Sequence, residues 1–172
     1  MSADNQQESL IRKGWIVGFV DGEGCFSIGF IDQRDRKGRK GYKTGYQVAH
    51  EFAVTQGESS LQCLHDLKDF FKVGMVVVNR RHDNHKEHLY RYVVRKREDL
   101  LRVIIPFFHI YPLRSRKQAD FEKFALCVEL VNQGRHLSRA GLTTIAKITQ
   151  TMNRKKDRSR LIKILNDHTR DT

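Results

Sequence analysis

The order of hydrophobic and polar positions predicts a helix followed by a hairpin at the start of the chain. Apolar residues recur on nearly every side of a helix from about Ser9 to Val20, which indicates a helix with neighbours on two sides. Beyond it, Phe26, Ile28 and Phe30 alternate with small or polar residues, and the run from Tyr46 to Val54 alternates in the same way. Because a period of two is typical of half-buried strands, the two runs predict one antiparallel hairpin.

The next part of the chain repeats this order. Helical spacing from Glu58 to Phe71 predicts a helix, Met75–Arg81 and Leu89–Arg95 predict a second hairpin, and helical spacing resumes from Glu98 to Ile105. After a connection over residues 107–111, bracketed by Pro106 and Pro112, helices are predicted at Lys117–Val131, Leu142–Met152 and Ser159–Asp167. The order αββαββα predicts an α+β fold with antiparallel strands. We interpret residues 1–172 as one domain, with a core of about residues 9–132 and a helical C-terminal appendage of about residues 138–170.

Charge indicates the kind of partner. The chain of 172 residues carries 32 Lys and Arg against 20 Asp and Glu, a net charge of +12, and its 39% hydrophobic residues are enough for a packed core. An excess of positive charge in a folded domain favours polyanions, because phosphate contacts release counterions. Nucleic acid is therefore the expected partner, ahead of an anionic membrane surface.

The cysteines and the N-terminus bear on three other classes: disulfide-bonded, membrane-spanning and secreted proteins. Three cysteines, Cys25, Cys63 and Cys127, stand far apart with no C-x-x-C spacing, so we expect reduced thiols in packed positions. There is no apolar run of about 18 residues and no basic-then-apolar leader, so neither a membrane span nor secretion is predicted. The expected location is intracellular, in the cytoplasm or nucleoid of a prokaryote or in an organelle.

Candidate chemistry lies at the end of the first predicted helix. Asp21 and Glu23 stand two residues apart between glycines. The helix dipole opposes negative charge at a C-terminus, so these acids favour a nearby cation or donor. A hard divalent ion bound by carboxylate and carbonyl oxygens would satisfy both the acids and the last helical carbonyls. A solvent-exposed acidic turn without metal is the alternative that this spacing alone leaves open.

Residues 16–24 as a whole help to choose between a metal site and an exposed acidic turn. The string Ile-Val-Gly-Phe-Val-Asp-Gly-Glu-Gly resembles, position by position, the nine-residue signature of the LAGLIDADG homing endonuclease family. Gly18 matches its helix-interface glycine, Asp21 its first acid and Glu23 its final acid, here one methylene longer than Asp. The αββαββα order extends the resemblance over roughly residues 9–132, and the resemblance implies an antiparallel DNA-binding saddle sheet with extra C-terminal helices. Residues 112–121 look like the family's basic turn before its last core helix.

The resemblance implies a homodimer, because the family packs two signature helices side by side and this chain carries one. Trp15, Gly18, Phe19 and Asp21 are then expected at the dimer interface. A two-fold dimer implies a double-strand break in a long palindromic or pseudo-palindromic target in double-stranded DNA.

The resemblance also implies the catalytic residues. Glu23 and the Gly22 carbonyl are expected to hold Mg²⁺ for phosphodiester hydrolysis, with Mn²⁺ as a substitute and with Ca²⁺ supporting binding without cleavage. Gln56 is expected to order solvent near the nucleophile. Ser115 falls where the family's lysine is usual, which leaves the basic catalytic role to Arg114, Arg116 or Lys117, of which we favour Lys117. Ser60 fills a second position that is usually basic.

The uncovered strand faces become the expected recognition surface in the major groove. The residues expected at base edges are Ser27, Gly29, Ile31, Gln33, Gln47, Glu51, Asn79, Arg81 and Arg91. Arg34, Arg36 and Lys43 in the first hairpin loop are expected to contact phosphates, and Arg116 is expected to bind DNA as well.

Three alternatives remain open at this point. His82, His85 and His88 form H-x-x-H-x-x-H, which suggests a zinc site, although a polar loop contacting the DNA backbone accounts for the same composition. Members of the resembled family also act as intron RNA maturases, so intron RNA is a possible partner. The third alternative is a DNA-binding protein without catalysis, which the serines at positions 60 and 115 favour.

Overall fold

A computed structural model describes residues 3–33, 44–79, 88–153 and 157–167. The chain divides into two compact units, the first formed by residues 1–26 and 51–118 and the second by residues 27–50 and 119–172. The expectations for Arg34, Arg36, Lys43, Arg81, His82 and His85 fall outside the described residues.

Helix α1 (Ala3–Glu23) runs directly into strand β1 (Gly24–Asp32). The helix begins earlier than predicted, because exposed polar residues extend it on its N-terminal side, while Ile16 and Val20 are fully buried. A Cβ placed at Gly24 would lie 2.6 Å from the Val20 carbonyl oxygen. This close approach requires glycine at the junction of helix and strand.

The strands form one four-stranded sheet in the order β1-β2-β4-β3, with β2 at Tyr46–Gly57, β3 at Met75–Asn79 and β4 at Leu89–Val94. Strand β4 pairs antiparallel with both β2 and β3, so Arg91 lies opposite Thr55 on one side and opposite Val77 on the other. The predicted α+β fold is confirmed.

One face of the sheet in the first unit forms an aromatic core. Phe52 is fully buried, and its ring centroid lies 5.0 Å from that of Phe26 and 5.7 Å from that of Phe108. Tyr92 lies on the same face, also fully buried, and burial raises the pKa of its hydroxyl. Helix α2 (Leu61–Phe71), which follows a 3₁₀ turn at Glu58–Ser60, packs on β3 and β4.

The connection predicted over residues 107–111 is wrong, because this segment is largely helical. A short helix α3 (Arg97–Asp99), a π-helical turn (Leu100–Ile104) and helix α4 (Ile105–Ile110) follow one another without a break. Pro106 lies in the first turn of α4, where the missing N–H of proline is tolerated. The proline therefore lies where the π-helical turn passes into the α-helix α4.

The second unit contains most of the C-terminal helices, which lie close to their predicted positions. These are α5 (Lys117–Asn132), of which the first two residues belong to the first unit, α6 (Arg139–Gln150) and α7 (Ser159–Asp167). Ser138 caps α6, since its Oγ accepts the Gly141 N–H over 3.2 Å. Helices α6 and α7 pack together.

The cysteines differ in exposure. Cys127 is fully buried in α5, and burial raises the pKa of its thiol to about 12. Cys25 is exposed on β1, so the prediction of a packed position is wrong for this residue, because it lies on the strand face opposite Phe26. Across the part of the chain that is described, no helix is long and apolar enough to cross a membrane.

Candidate active site and nucleic-acid interface

In the first unit, the C-terminus of α1 meets the turn that precedes α5. The backbone N–H groups of Arg114 and Ser115 each donate to Asp21 Oδ2 over 2.9 Å, and Ser115 Oγ donates to Asp21 Oδ1 over 2.6 Å. The expectation that Asp21 lies at the dimer interface stays a prediction; within its own chain, its carboxylate binds this turn. It anchors a segment that lies more than 90 residues away in sequence.

These hydrogen bonds also set the charge state of Asp21. Partial desolvation raises the pKa of its carboxyl, but the hydrogen bonds from Ser115 and Arg114 and the charge of Lys117 together outweigh this effect. The net result is a pKa below the ordinary value of 3.8. The carboxylate is therefore ionised at neutral pH and remains a strong acceptor for the turn.

The anchored turn carries Lys117 to the end of α1. Lys117 N–H donates to Ser115 Oγ over 3.1 Å, and Lys117 Nζ donates to the carbonyl oxygens of Val20 over 3.0 Å and Gly22 over 3.1 Å. The last carbonyls of a helix have no partner within the helix, and a cation at this end is favoured by the dipole. Lys117 thus supplies part of the positive charge that the acids at this helix end favour.

The other basic candidates lie differently. Arg114 and Arg116 have exposed side chains in the turn, and among the three basic residues it is Lys117 whose ammonium contacts α1. Ser115 acts in this structure as a bridge between Asp21 and Lys117. Ser60 is half-buried and ends the 3₁₀ turn before α2.

Glu23 is the last residue of α1, and its side chain is exposed. No side chain within the described ranges pairs with its carboxylate. The neighbouring Gly22 carbonyl already accepts one cationic donor, Lys117, and a carbonyl oxygen has two lone pairs. One carboxylate and one carbonyl are hard oxygen donors, so this pair fits Mg²⁺, which takes few protein ligands and keeps several waters.

Gln56 lies near the end of β2, opposite Tyr90 of β4, and its side chain is half-buried. It belongs to the same unit as Gly22 and Glu23. The expected role of Gln56 near the metal ligands stays a prediction.

The outward side of α1 combines glycines with exposed apolar side chains. Trp15 is 38% exposed and stacks on Phe19 with 5.2 Å between ring centroids. Gly18 is exposed, and a Cβ placed there would meet nothing within 4 Å. The expectation omitted Leu10 and Ile11, which are 62% and 66% exposed on the same helix. The sequence signal that could have placed Leu10 and Ile11 on this exposed side is the presence of large apolar residues near glycines at helical spacing.

The outer face of the sheet in the first unit carries a charged cluster. Glu51 accepts hydrogen bonds from Arg91 and Arg95, and both arginines lie on β4 or directly beyond it. Asn79 ends β3 opposite Leu89 and is half-buried. The sequence interpretation named Glu51 and Arg91 separately and missed Arg95, which the period of two places on the same face.

The expected readers in the second unit lie on β1 and the first part of β2. Ser27 and Gly29 are half-buried, Ile31 is 47% exposed, and Gln33 Nε2 donates to Gln47 Oε1 over 3.4 Å. All of these positions are odd-numbered, whereas the even-numbered Ile28 and Val48 are buried. These side chains therefore lie on the strand face opposite the apolar one.

For metal sites built from clusters, the described residues contain no group of three or more His, Cys, Asp or Glu that could hold an ion. His88 is exposed at the end of the second hairpin loop. The hypothesis of a zinc site at His82, His85 and His88 depends on residues outside the described ranges.

Comparison with known proteins identifies the class. The family model described as LAGLIDADG endonuclease matches residues 16–128. This match covers more than half of the chain, so the protein belongs to the LAGLIDADG endonuclease family. The family membership that the signature in residues 16–24 predicted is confirmed.

Individual relatives agree with this assignment. The chain is 32% identical over 141 residues to "Probable intron-encoded endonuclease 3" of Neurospora crassa, covering 81% of this chain and 24% of that protein. Among solved structures, the homing endonuclease I-TnaI is 36% identical with a TM-score of 0.70, covering 92% of this chain and 96% of I-TnaI. I-SmaMI bound to an uncleaved DNA target in the presence of calcium ions is 28% identical with a TM-score of 0.76, covering 90% of this chain and 48% of I-SmaMI. The chain spans about a quarter of the length of the first two curated relatives that it matches.

Proposed function

We propose that the protein is a site-specific homing endonuclease that acts as a homodimer and makes a Mg²⁺-dependent double-strand break in a palindromic or pseudo-palindromic DNA target. The observation that carries the proposal is the end of α1, where the Lys117 ammonium donates to the Gly22 carbonyl and the next residue is the exposed acid Glu23. This arrangement combines acidic oxygen donors with a fixed positive charge, which is what hydrolysis of an anionic diester needs.

Each residue has a distinct part in this mechanism. The Glu23 carboxylate and the Gly22 carbonyl would hold the ion, which when bound supplies charge stabilisation at the scissile phosphate. Lys117, held at the Gly22 carbonyl by the anchored turn, adds positive charge beside the phosphate as negative charge develops there. Gln56, at the end of β2, orients solvent through its side-chain amide.

The homodimer is supported by the exposed side of α1. Gly14, Gly18 and Gly22 recur every fourth residue, and a Cβ at any of them would meet nothing within 4 Å in this chain. Glycines at this spacing let two helix backbones approach closely, and the apolar side chains of Leu10 and Trp15 beside them favour burial. Because the chain covers 96% of I-TnaI but 48% of I-SmaMI, two copies would match the length of the longer protein.

The first experiment is cleavage of a randomised palindromic DNA library in Mg²⁺ and in Ca²⁺, with sequencing of the cut ends. The wild-type protein is expected to cut a symmetric site in Mg²⁺ and to bind the same site uncut in Ca²⁺. Glu23→Gln is expected to bind that site but to lose cleavage, because an amide is a poor ligand for a hard divalent ion. Glu8→Gln is the matched control, since Glu8 is an exposed acid on the same helix.

Three results would contradict the proposal. Cleavage that survives in Glu23→Gln would remove Glu23 from the metal site. A selection that enriches bound but uncut DNA in Mg²⁺, unchanged by Glu23→Gln, would favour the non-catalytic or RNA-binding alternatives, and structured intron RNA would then be tested as the ligand. Light scattering that gives a mass near 20.1 kDa for the DNA-bound protein component would contradict the homodimer.

A further inference from the structure

The charged cluster joins the Glu51 carboxylate to two arginines, Arg91 and Arg95. Glu51 Oε1 accepts from Arg91 Nη2, and Glu51 Oε2 accepts from Arg95 Nε over 2.6 Å. Each carboxylate oxygen therefore binds one arginine. With two guanidinium groups on one carboxylate, the cluster keeps a net positive charge, which suits a surface that faces DNA.

The strand register shows that the two arginines reach Glu51 in different ways. Phe52 lies opposite Val94, the last residue of β4, so Arg95, the next residue, lies close to Glu51, the residue before Phe52. Arg91 lies opposite Thr55, four residues further along β2, so its side chain must run along the face of the sheet to reach Glu51. The conformation of the Arg91 side chain is thus set by the Glu51 carboxylate, which lies four residues along β2 from the residue opposite Arg91.

The pair of residues between them is consistent with this path. Ala53 lies opposite Val93 on the same outer face, between the positions of Glu51 and Arg91. Although this face is turned away from the aromatic core, Ala53 is 3% exposed and Val93 is 2% exposed. An arginine stem that runs along this face from position 91 to Glu51 would cover Ala53 and Val93.

Within this cluster, Arg91 has N–H donors left to bind a DNA base, whereas both carboxylate oxygens of Glu51 already accept from arginines. The Glu51 side chain is 19% exposed and both of its oxygens accept from arginines, whereas the Arg91 side chain is 26% exposed. A guanidinium has five N–H donors, and the bond to Glu51 uses one of them. In the major groove, guanine offers two adjacent acceptors, O6 and N7, that match a guanidinium in a bidentate pair.

We infer that Glu51 is a positioning residue, which holds Arg91 in place to read a guanine in each half of the DNA target. This inference rests on the proposed function, because it requires sequence-specific binding of DNA. It changes the part expected of Glu51, which orients the residue that reads the base and does not itself accept from a base edge.

The test compares binding at every base pair of the target obtained in the selection above. Affinities are measured in Ca²⁺ by competition, with each base pair replaced symmetrically in both half-sites. The wild-type protein is expected to prefer one G·C pair per half-site by about tenfold to a hundredfold. Arg91→Lys, which keeps the charge but cannot form the bidentate pair, is expected to lose this preference.

Glu51→Gln distinguishes positioning from direct reading. We expect the preference at the same base pair to fall by about fivefold or more, with the other base pairs unchanged, because the arginine loses its ionic partner. The double variant with Arg91→Lys is expected to be no worse at that pair than Arg91→Lys alone. Glu98→Gln is the matched control, since Glu98 is an exposed acid paired with Lys96 and Arg102, and it should leave every preference unchanged.

The possible outcomes separate this inference from the proposed function. Glu51 does not position Arg91 if Glu51→Gln changes the preference at a different base pair from Arg91→Lys, or if it weakens binding equally at all base pairs. The same holds if the double variant loses more of the preference at that base pair than Arg91→Lys alone. If the wild-type protein binds all sequences alike, the proposed function fails and this inference with it. Should Glu51→Gln not fold, Glu51→Asp retains the charge with a shorter reach and is expected to lose part of the preference at the same base pair.

Discussion

Replacing Asp21 by Asn tests whether the hydrogen bonds at the end of α1 control the position of Lys117. The substitution keeps the size of the side chain but removes its negative charge and one of its two acceptor oxygens. Three donors now meet the carboxylate, namely the N–H groups of Arg114 and Ser115 and the Ser115 hydroxyl. The Asn amide leaves at least one of them facing an NH₂ group.

The expected magnitude follows from this count. A hydrogen bond to a charged group contributes about 1.5–3 kcal/mol, and less where solvent competes. Because the turn is exposed and the Asn oxygen still accepts from some of the donors, we expect Asp21→Asn to lower the free energy of unfolding by about 1–2 kcal/mol. We expect cleavage to fall by about a hundredfold, since displacing a catalytic group by about 1 Å has an effect of this order.

Urea denaturation and single-turnover cleavage at saturating enzyme measure the two effects separately. Asp66→Asn is the matched control, because the Asp66 carboxylate accepts from the neutral Gln62 amide over 3.0 Å. This control is expected to change stability by less than about 0.5 kcal/mol and to leave cleavage unchanged. Normal cleavage by folded Asp21→Asn would refute the reasoning, because Lys117 would then keep its place without the anchor.

Three further predictions concern pH, the glycines and the thiols. Since folding lowers the pKa of Asp21, its stabilising effect is present above pH 3.8 and is lost as the pH falls through the lower native value, so acid denaturation should be less steep in Asp21→Asn than in wild type. Gly24→Ala should destabilise the chain by about 1–3 kcal/mol in thermal or urea unfolding, because its Cβ would meet the Val20 backbone, whereas Gly18→Ala should fold normally and weaken dimerisation in sedimentation experiments. Iodoacetamide at pH 8 should label the exposed Cys25 in the native protein and spare Cys127, whose thiol has a pKa of about 12; equal labelling rates would show that the burial of Cys127 is not maintained.

The local pattern of the sequence was sufficient for most of the elements and for the class of protein. Periods of two and of 3.6 residues are properties of neighbouring positions, so the two hairpins and the helices could be predicted from the run of apolar residues alone. The acids of the site could be predicted for the same reason, since Asp21 and Glu23 belong to one continuous string at the end of α1. That string also carried the family resemblance that the comparison confirms.

Local pattern also misled where packing overrides propensity. The prolines at positions 106 and 112 predicted an irregular connection, yet Pro106 lies in the first turn of α4 after a π-helical turn. The buried Phe108 accounts for the difference, because its contacts with Phe26 and Phe52 favour the helical path.

Tertiary structure decided which residues act together. Asp21 binds a turn more than 90 residues further along the chain, and this contact brings Lys117 to the Gly22 carbonyl. Likewise, Arg91 binds Glu51 on the neighbouring strand β2. The sequence of either strand alone does not predict this pair, because Arg91 lies opposite Thr55 in the ladder. Composition and spacing predict that such groups are present. Their pairing depends on the strand register and on the packing of the helix ends, which arise only when distant segments fold against each other.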